Sequence, residues 1–204
     1  MGRVSDNPSK LMDAVLELIW TGSYGSTTID QICEKADVRK GSFYYYFDSK
    51  ADLAVVALES QWQKVRAESD SLFSPTVPPL QRLKNYFDWG YRFQSEIKVK
   101  YGHVLGCVLF ALGAEVCTQE PALQKKIQEI LGYKLKYLES AIRDADAAEL
   151  IEAPDPAAKA RMIHAYYEGL LTQARIQDDL ELLRDAGPGA FAILGLKVPG
   201  MIAA

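Results

Sequence analysis

The stretch Thr28–Lys50, TIDQICEKADVRKGSFYYYFDSK, decides how this chain folds at its N-terminal end. Thr28 followed by Gln31 has the spacing of a capping box, in which two side chains satisfy the free N–H groups of a helix start. Ile29, Ile32, Cys33 and Ala36 recur at i, i+3, i+4 and i+7, so one face of that helix is buried. Asp37 falls where the chain must turn, and Asp tolerates a left-handed backbone. A second helix is predicted from about Lys40 to Phe47. At 100° per residue, Phe43 and Phe47 share its inner face and pack with Val38. Gly41, Ser42 and Tyr45 then point the opposite way, with Tyr44 and Tyr46 on the flanks.

An outer face of Gly, Ser and three Tyr is suited to contact rather than to a core. Glycine allows close backbone approach, while hydroxyls reach phosphates or base edges. Arg39 and Lys40 at the start of the helix and Lys50 just past its end bracket the face with positive charge. Two short helices at a sharp turn, the second presenting polar groups, form a helix-turn-helix that reads a major groove.

The run KGSFYYYFDSKADL, preceded by TTIDQICEKADV, resembles the DNA-binding domain of the TetR (tetracycline-repressor-like) transcriptional regulators. The likeness covers roughly residues 8 to 60 and combines a threonine pair, an apolar-spaced helix, a Gly-Ser-aromatic run and a Ser-Lys. Asp37 and Ser23 stand at turn positions where glycine is common in that family. The resemblance implies that Thr28, Lys40, Gly41, Ser42, Tyr44, Tyr45, Tyr46 and Lys50 meet DNA, with Thr28 and Lys50 on phosphates. It also implies a C-terminal helical bundle that dimerises and encloses a cavity for a small-molecule effector.

Outward from that stretch, Asn7-Pro8 is a helix start, Asn as cap and Pro in the first turn. Leu11, Ala14, Val15, Leu18 and Ile19 form the buried stripe of the first helix, which ends at Gly22–Ser26. Residues 1 to 6 are expected to be a frayed arm, with Arg3 near DNA backbone. Ser49 and Asp52 cap a helix that runs to about Phe73, and PTVPP at 75–79 breaks it. Beyond, helices are predicted over about 80–100, 101–116, 121–146 and from Asp155-Pro156 onward. Gly187-Pro188-Gly189 is expected to break the chain before a short apolar tail, FAILGL. The expected fold is all-α: a three-helix helix-turn-helix domain at 1–58, then a helical effector-binding and dimerisation domain at 59–204. Helices near 121–147 and 157–184 are the expected homodimer interface.

The chain has 204 residues, a net charge of −4, and three cysteines, Cys33, Cys107 and Cys117, which make neither a disulfide framework nor a zinc motif. No apolar run reaches the roughly 18 residues that span a membrane. The start, MGRVSDNPSK, lacks the apolar core of a secretory signal, so a reducing cytoplasm is the expected compartment. The first fifty residues carry six basic against seven acidic side chains, so DNA binding must rest on local charge at Arg3, Lys10, Arg39, Lys40 and Lys50.

Candidate effector contacts are Trp62, Trp89, Phe93, His103, Cys107, Phe110, Tyr137, Tyr166 and Tyr167, any of which could equally be core. Cys107 follows His103 by four residues, which stacks the two on one face if the segment is helical. An adjacent imidazole makes a thiol more reactive, and GCVLFALGAEV resembles a branch of the family that senses electrophiles or oxidants through such a cysteine. The bland reading of Cys107 is a small hydrophobe in a buried helix. With His103 and His164 the only histidines and no clustered carboxylates, neither metal nor cofactor is expected. An enzyme built on Cys107 and His103 is the remote alternative, since no orienting partner or oxyanion hole is visible in the sequence.

Overall fold

A computed structural model describes residues 6–116 and 118–196; Arg3 and Cys117, named above, lie outside the described residues. The described residues form α1 (Asn7–Thr21), α2 (Ile29–Ala36), α3 (Lys40–Tyr46), α4 (Lys50–Leu72), α5 (Pro79–Tyr101), α6 (Val108–Val116), α7 (Pro121–Ala147), α8 (Pro156–Gln177) and α9 (Ala186–Leu194). A 3-10 helix at Leu180–Asp185 joins α8 to α9. The chain divides into two compact units, one of residues up to Val65 with Val108–Ile130, the other of Arg66–Cys107 with Leu131 onward.

In the first unit α1 packs on α2, α3 and α6. Leu11 and Val15 of α1, Ile32 of α2, Phe43 of α3 and Leu53 of α4 are all wholly buried. Phe43 is the largest of these side chains, and trimming such a residue to alanine costs about 3–5 kcal/mol. Helix α1 starts one residue differently from expectation. Asp6 holds the cap position without a side-chain bond, and Asn7 and Pro8 are the first helical residues. Proline fits there because the first N–H groups of a helix have no intrahelical partner anyway.

In the second unit α5 and α8 each pack on the 3-10 helix and α9. The core is continuous from Leu83 and Phe87 through Leu138, Ile142, Ile163 and Tyr167 to Phe191. Asp155 caps α8 by accepting the Ala158 amide at 2.9 Å. Arg82, only 4% exposed, is paired with Asp144 and donates to the carbonyls of Val77 and Pro75, so its burial leaves no bare charge. The hydroxyl of Tyr167 lies over Gly90, where a Cβ would come within 1.8 Å of it.

Three expectations are corrected. Residues 101–116 are not one helix: α5 ends at Tyr101 on Gly102 (φ 80°), and helix resumes at Val108. Side chains take the backbone groups between. The Gln94 amide grips both N–H and C=O of Gly106 (φ 64°) at 3.0 Å, Asp178 accepts from Val104 N–H, and Arg175 donates to the Leu105 carbonyl. The Gly187-Pro188-Gly189 triplet is no break but the first turn of α9, where a proline costs no hydrogen bond. A Cβ at Gly189 would meet the Tyr166 hydroxyl at 1.9 Å, which accounts for that glycine. Helix α8 stops at Gln177 rather than near 184, because Asp178 turns left-handed (φ 51°).

Candidate nucleic-acid interface

Helix α2 begins on Thr28, whose hydroxyl accepts the Gln31 amide while the Gln31 side chain accepts the Thr28 amide at 2.8 Å. The capping box is therefore complete. Asp37 takes a left-handed conformation (φ 53°), and its N–H and that of Val38 close onto the carbonyls of Glu34 and Cys33. The chain reverses there and α3 starts at Lys40 behind Arg39. Thr28 and Arg39 are both exposed.

Phe43 and Phe47 are buried, whereas Tyr45 is 80% and Tyr44 53% exposed. Tyr46 and Ser42 are half-buried, and the Tyr46 ring stacks edge-on to Tyr45 at 4.8 Å. Nothing lies within 4 Å of where a Cβ at Gly41 would sit, so the backbone there is open to a ligand surface. Lys40 is exposed and pairs with Asp30 at 2.7 Å, which raises its pKa.

Lys50 is placed differently from its neighbours. Its ammonium donates to the carbonyls of Tyr24 (2.6 Å) and Thr27 (2.7 Å) and stands 4.0 Å above the Tyr24 ring. Burial lowers its pKa, against a raising pull from Glu115 and Glu120. Glu115 in turn accepts the amides of Tyr24 and Gly25, and Glu120 accepts the Tyr24 hydroxyl at 2.9 Å. This network braces the turn between α1 and α2. Sequence reading missed it because its members are separated by up to about a hundred positions and no local pattern joins them.

Residues 11–57 match the family profile for bacterial regulatory proteins of the tetR family, and residues 79–188 that for the tetracyclin repressor-like C-terminal domain. The chain belongs to the TetR family. An uncharacterized HTH-type transcriptional regulator from the lacX 3′ region of Lactococcus lactis is 30% identical over 184 residues, covering 85% of this chain and 86% of that one. The transcriptional regulator AcuR of Cereibacter sphaeroides is 28% identical over 169 residues, covering 82% of this chain and 75% of AcuR. The crystal structure of a TetR regulatory protein from Rhodobacter sphaeroides superposes with a TM-score of 0.81 at 26% identity, over 93% of this chain and 99% of that one. The reduced form of Escherichia coli NemR shares the fold, with a TM-score of 0.82 at 21% identity over 95% of this chain and all of that one. This TetR-family protein is thus a transcriptional regulator.

The nine candidate effector contacts of this TetR-family chain fall in both compact units. Trp62, buried, and Phe110, exposed, belong to the first unit, and the other seven to the second. Trp89 stacks on Phe93 at 5.2 Å. Tyr137 packs against Phe73 and donates to Asp70, and the Tyr166 hydroxyl donates to the Asp185 carbonyl at 2.8 Å. Tyr167 is buried against Tyr86 and Phe87. A cleft of about 320 Å³, lined by α5, the 3-10 helix and α9, contains none of the nine.

The pairing of His103 with Cys107 is corrected. Both lie in the non-helical segment, and the exposed His103 ring bonds the Asp178 carboxylate at 3.1 Å. The Val104 amide and then His103 hold the Asp178 pKa below the usual carboxylate range. Half-buried Cys107 instead hydrogen-bonds to Glu168 of α8, which is 2% exposed. Burial raises the Glu168 pKa, while Lys134 and Cys107 lower it. One turn back on α8, His164 stands 3.6 Å from Glu168, and burial, helped by Lys134, lowers its pKa to about 4. A buried acid and imidazole at i and i+4 could have been suspected from the sequence had α8 been given an inner face, since EGLL follows HAYY.

Proposed function

We propose that this protein is a repressor whose two copies present α3 to successive major grooves of a near-palindromic operator, and that a small-molecule effector releases it. The observation that carries this reading is the outer face of α3, with Tyr45 80% exposed beside an open Gly41. Arg39, Lys40, Ser42, Tyr44 and Tyr46 flank that face as groove or phosphate contacts. The reading head is the stretch 1–58 and the sensing and dimerising body 59–204, with the cytoplasm as the working compartment. Exposed Met162 on α8 and Tyr133 on α7 support dimerisation through those helices. An effector acts by favouring a head spacing that no longer fits two half-sites about 34–36 Å apart.

Enrichment of duplexes from a random-sequence pool tests the DNA reading. A near-palindrome should emerge with the wild type and none with Tyr45→Ala. Enrichment of the same palindrome by the variant removes the reading.

A second reading has covalent modification of Cys107 as the releasing event. It is favoured by the half-buried thiol being bonded to a buried carboxyl.

A further inference from the structure

We propose that the cleft between α5, the 3-10 helix and α9 binds a small ring-bearing carboxylate, with Arg92 as the group that takes the negative charge. This site lies wholly within the second unit and is independent of the operator reading.

The floor of the cleft is apolar. Phe87 of α5, Leu183 of the 3-10 helix and Phe191 of α9 are all buried and line it together, with exposed Pro188 at its edge. Its volume, about 320 Å³, falls at the small end of the range of small-molecule sites, about 300–1,000 Å³. A flat ring seated there displaces water from the rings of Phe87, Tyr91 and Phe191, and aromatic groups gain contact energy beyond the area they bury.

Charge selects the rest of the ligand. Lys84, Arg92 and Arg184 line the same cleft, against one carboxylate, Asp88. Two of these cations are already committed. Lys84 donates to Asp88 at 2.8 Å. Arg184 donates to Glu181 at 2.5 Å and to the Tyr91 hydroxyl at 2.9 Å, and its guanidinium lies 4.7 Å over the Tyr91 ring. Arg92 is exposed, and its guanidinium makes no ion pair or hydrogen bond among the described residues. A guanidinium offers parallel N–H donors that match the two oxygens of a carboxylate.

One uncommitted cation above an apolar floor fits a single negative charge on an apolar body. A free phosphate brings a second charge and nothing to cover Phe87 and Phe191. A surface ion pair alone is weak, so the ring supplies the burial while Arg92 fixes the orientation and the preference for an anion.

The probe is 2-naphthoate, with 2-naphthamide as its neutral counterpart of the same shape. Isothermal titration calorimetry on the full chain without DNA compares wild type, Arg92→Ala, Arg92→Lys and Pro188→Asp, with circular dichroism as the fold check. Wild type should bind 2-naphthoate saturably, one per chain, and 2-naphthamide about tenfold more weakly. Arg92→Ala should lower naphthoate affinity to the level of the amide and leave the amide unchanged. Arg92→Lys should fall between, because an ammonium keeps the charge and loses the fork. Pro188→Asp sets a carboxylate at the rim, in a first helical turn that favours acids, and should weaken naphthoate more than naphthamide. That variant stands in should Arg92→Ala not fold. Absence of saturable binding in wild type, equal affinity for acid and amide, or wild-type naphthoate affinity in a folded Arg92→Ala protein each overturns the proposal. Operator binding enters none of these measurements, so failure of the DNA reading is distinguished from failure of this site.

Discussion

Glu115 accepts the Tyr24 backbone amide at 2.9 Å, across ninety-one positions of sequence. The same carboxylate accepts the Gly25 amide at 2.6 Å, and a Cβ at Gly25 would come within 2.9 Å of it. One α6 side chain thereby sets the turn ahead of α2. Glu115→Ala should lower stability by about 1–3 kcal/mol, the range for a lost charge-assisted pair of hydrogen bonds. Urea denaturation checks this, and amide exchange at Tyr24 and Gly25 should quicken even in native buffer. Unchanged exchange at both amides would remove the turn's dependence on Glu115.

Tyr45 projects into solvent and touches little besides the Tyr46 ring. Tyr45→Ala should therefore leave stability within about 0.5 kcal/mol while abolishing specific operator binding. A gel shift beside a thermal melt separates the two. Loss of fold together with loss of binding would mean that Tyr45 is structural.

Lys50 donates inward to Tyr24 and Thr27. Lys50→Ala should cost about 1–3 kcal/mol through the unbraced turn. It should leave the slope of log affinity against log salt unchanged, since no phosphate contact is removed. A slope shallower by about one unit would instead place the ammonium on DNA backbone.

His164 and Glu168 titrate in opposite senses. The folded His164 pKa, about 4, lies below its unfolded value of about 6.5, so between these the unfolded state holds more protons. Stability from this group is full above pH 6.5 and is lost as pH falls toward 4, by up to about 3 kcal/mol. Glu168 has a raised folded pKa, so its contribution is full below its unfolded value and declines as pH rises through the folded one. Relative to His164→Gln, the wild type should lose stability on acidification from 6.5 to 4. Relative to Glu168→Gln it should gain. Parallel urea midpoints across that range for wild type and both variants would contradict the assignment.

Met162 is 57% exposed on α8, an apolar side chain in a helix expected to meet a second copy. Met162→Arg should convert a dimer to monomer in sedimentation velocity at micromolar concentration, with the helical signal retained. A monomeric wild type would remove the expected interface.

Local rules carried the reading where a few consecutive residues set the geometry. The capping box at Thr28 and Gln31, the left-handed Asp37 and the Phe43–Phe47 spacing determine both short helices and the face that Tyr45 presents, because each constraint acts within one helical turn. The proline starts of α7 and α8 are legible for the same reason. Tertiary structure alone decided the rest. Apolar content favours helix over 101–116, yet Gln94, Arg175 and Asp178 satisfy the backbone of 102–107 from other helices and hold it open. Lys50 reads as a free cation until Tyr24 and Thr27 are folded against it, and Cys107 belongs with His103 only if the chain between them is helical. Side-chain hydrogen bonds between distant positions leave no period in a sequence, so the brace at Tyr24 and the approach of half-buried Cys107 to buried Glu168 exist only once the helices have packed.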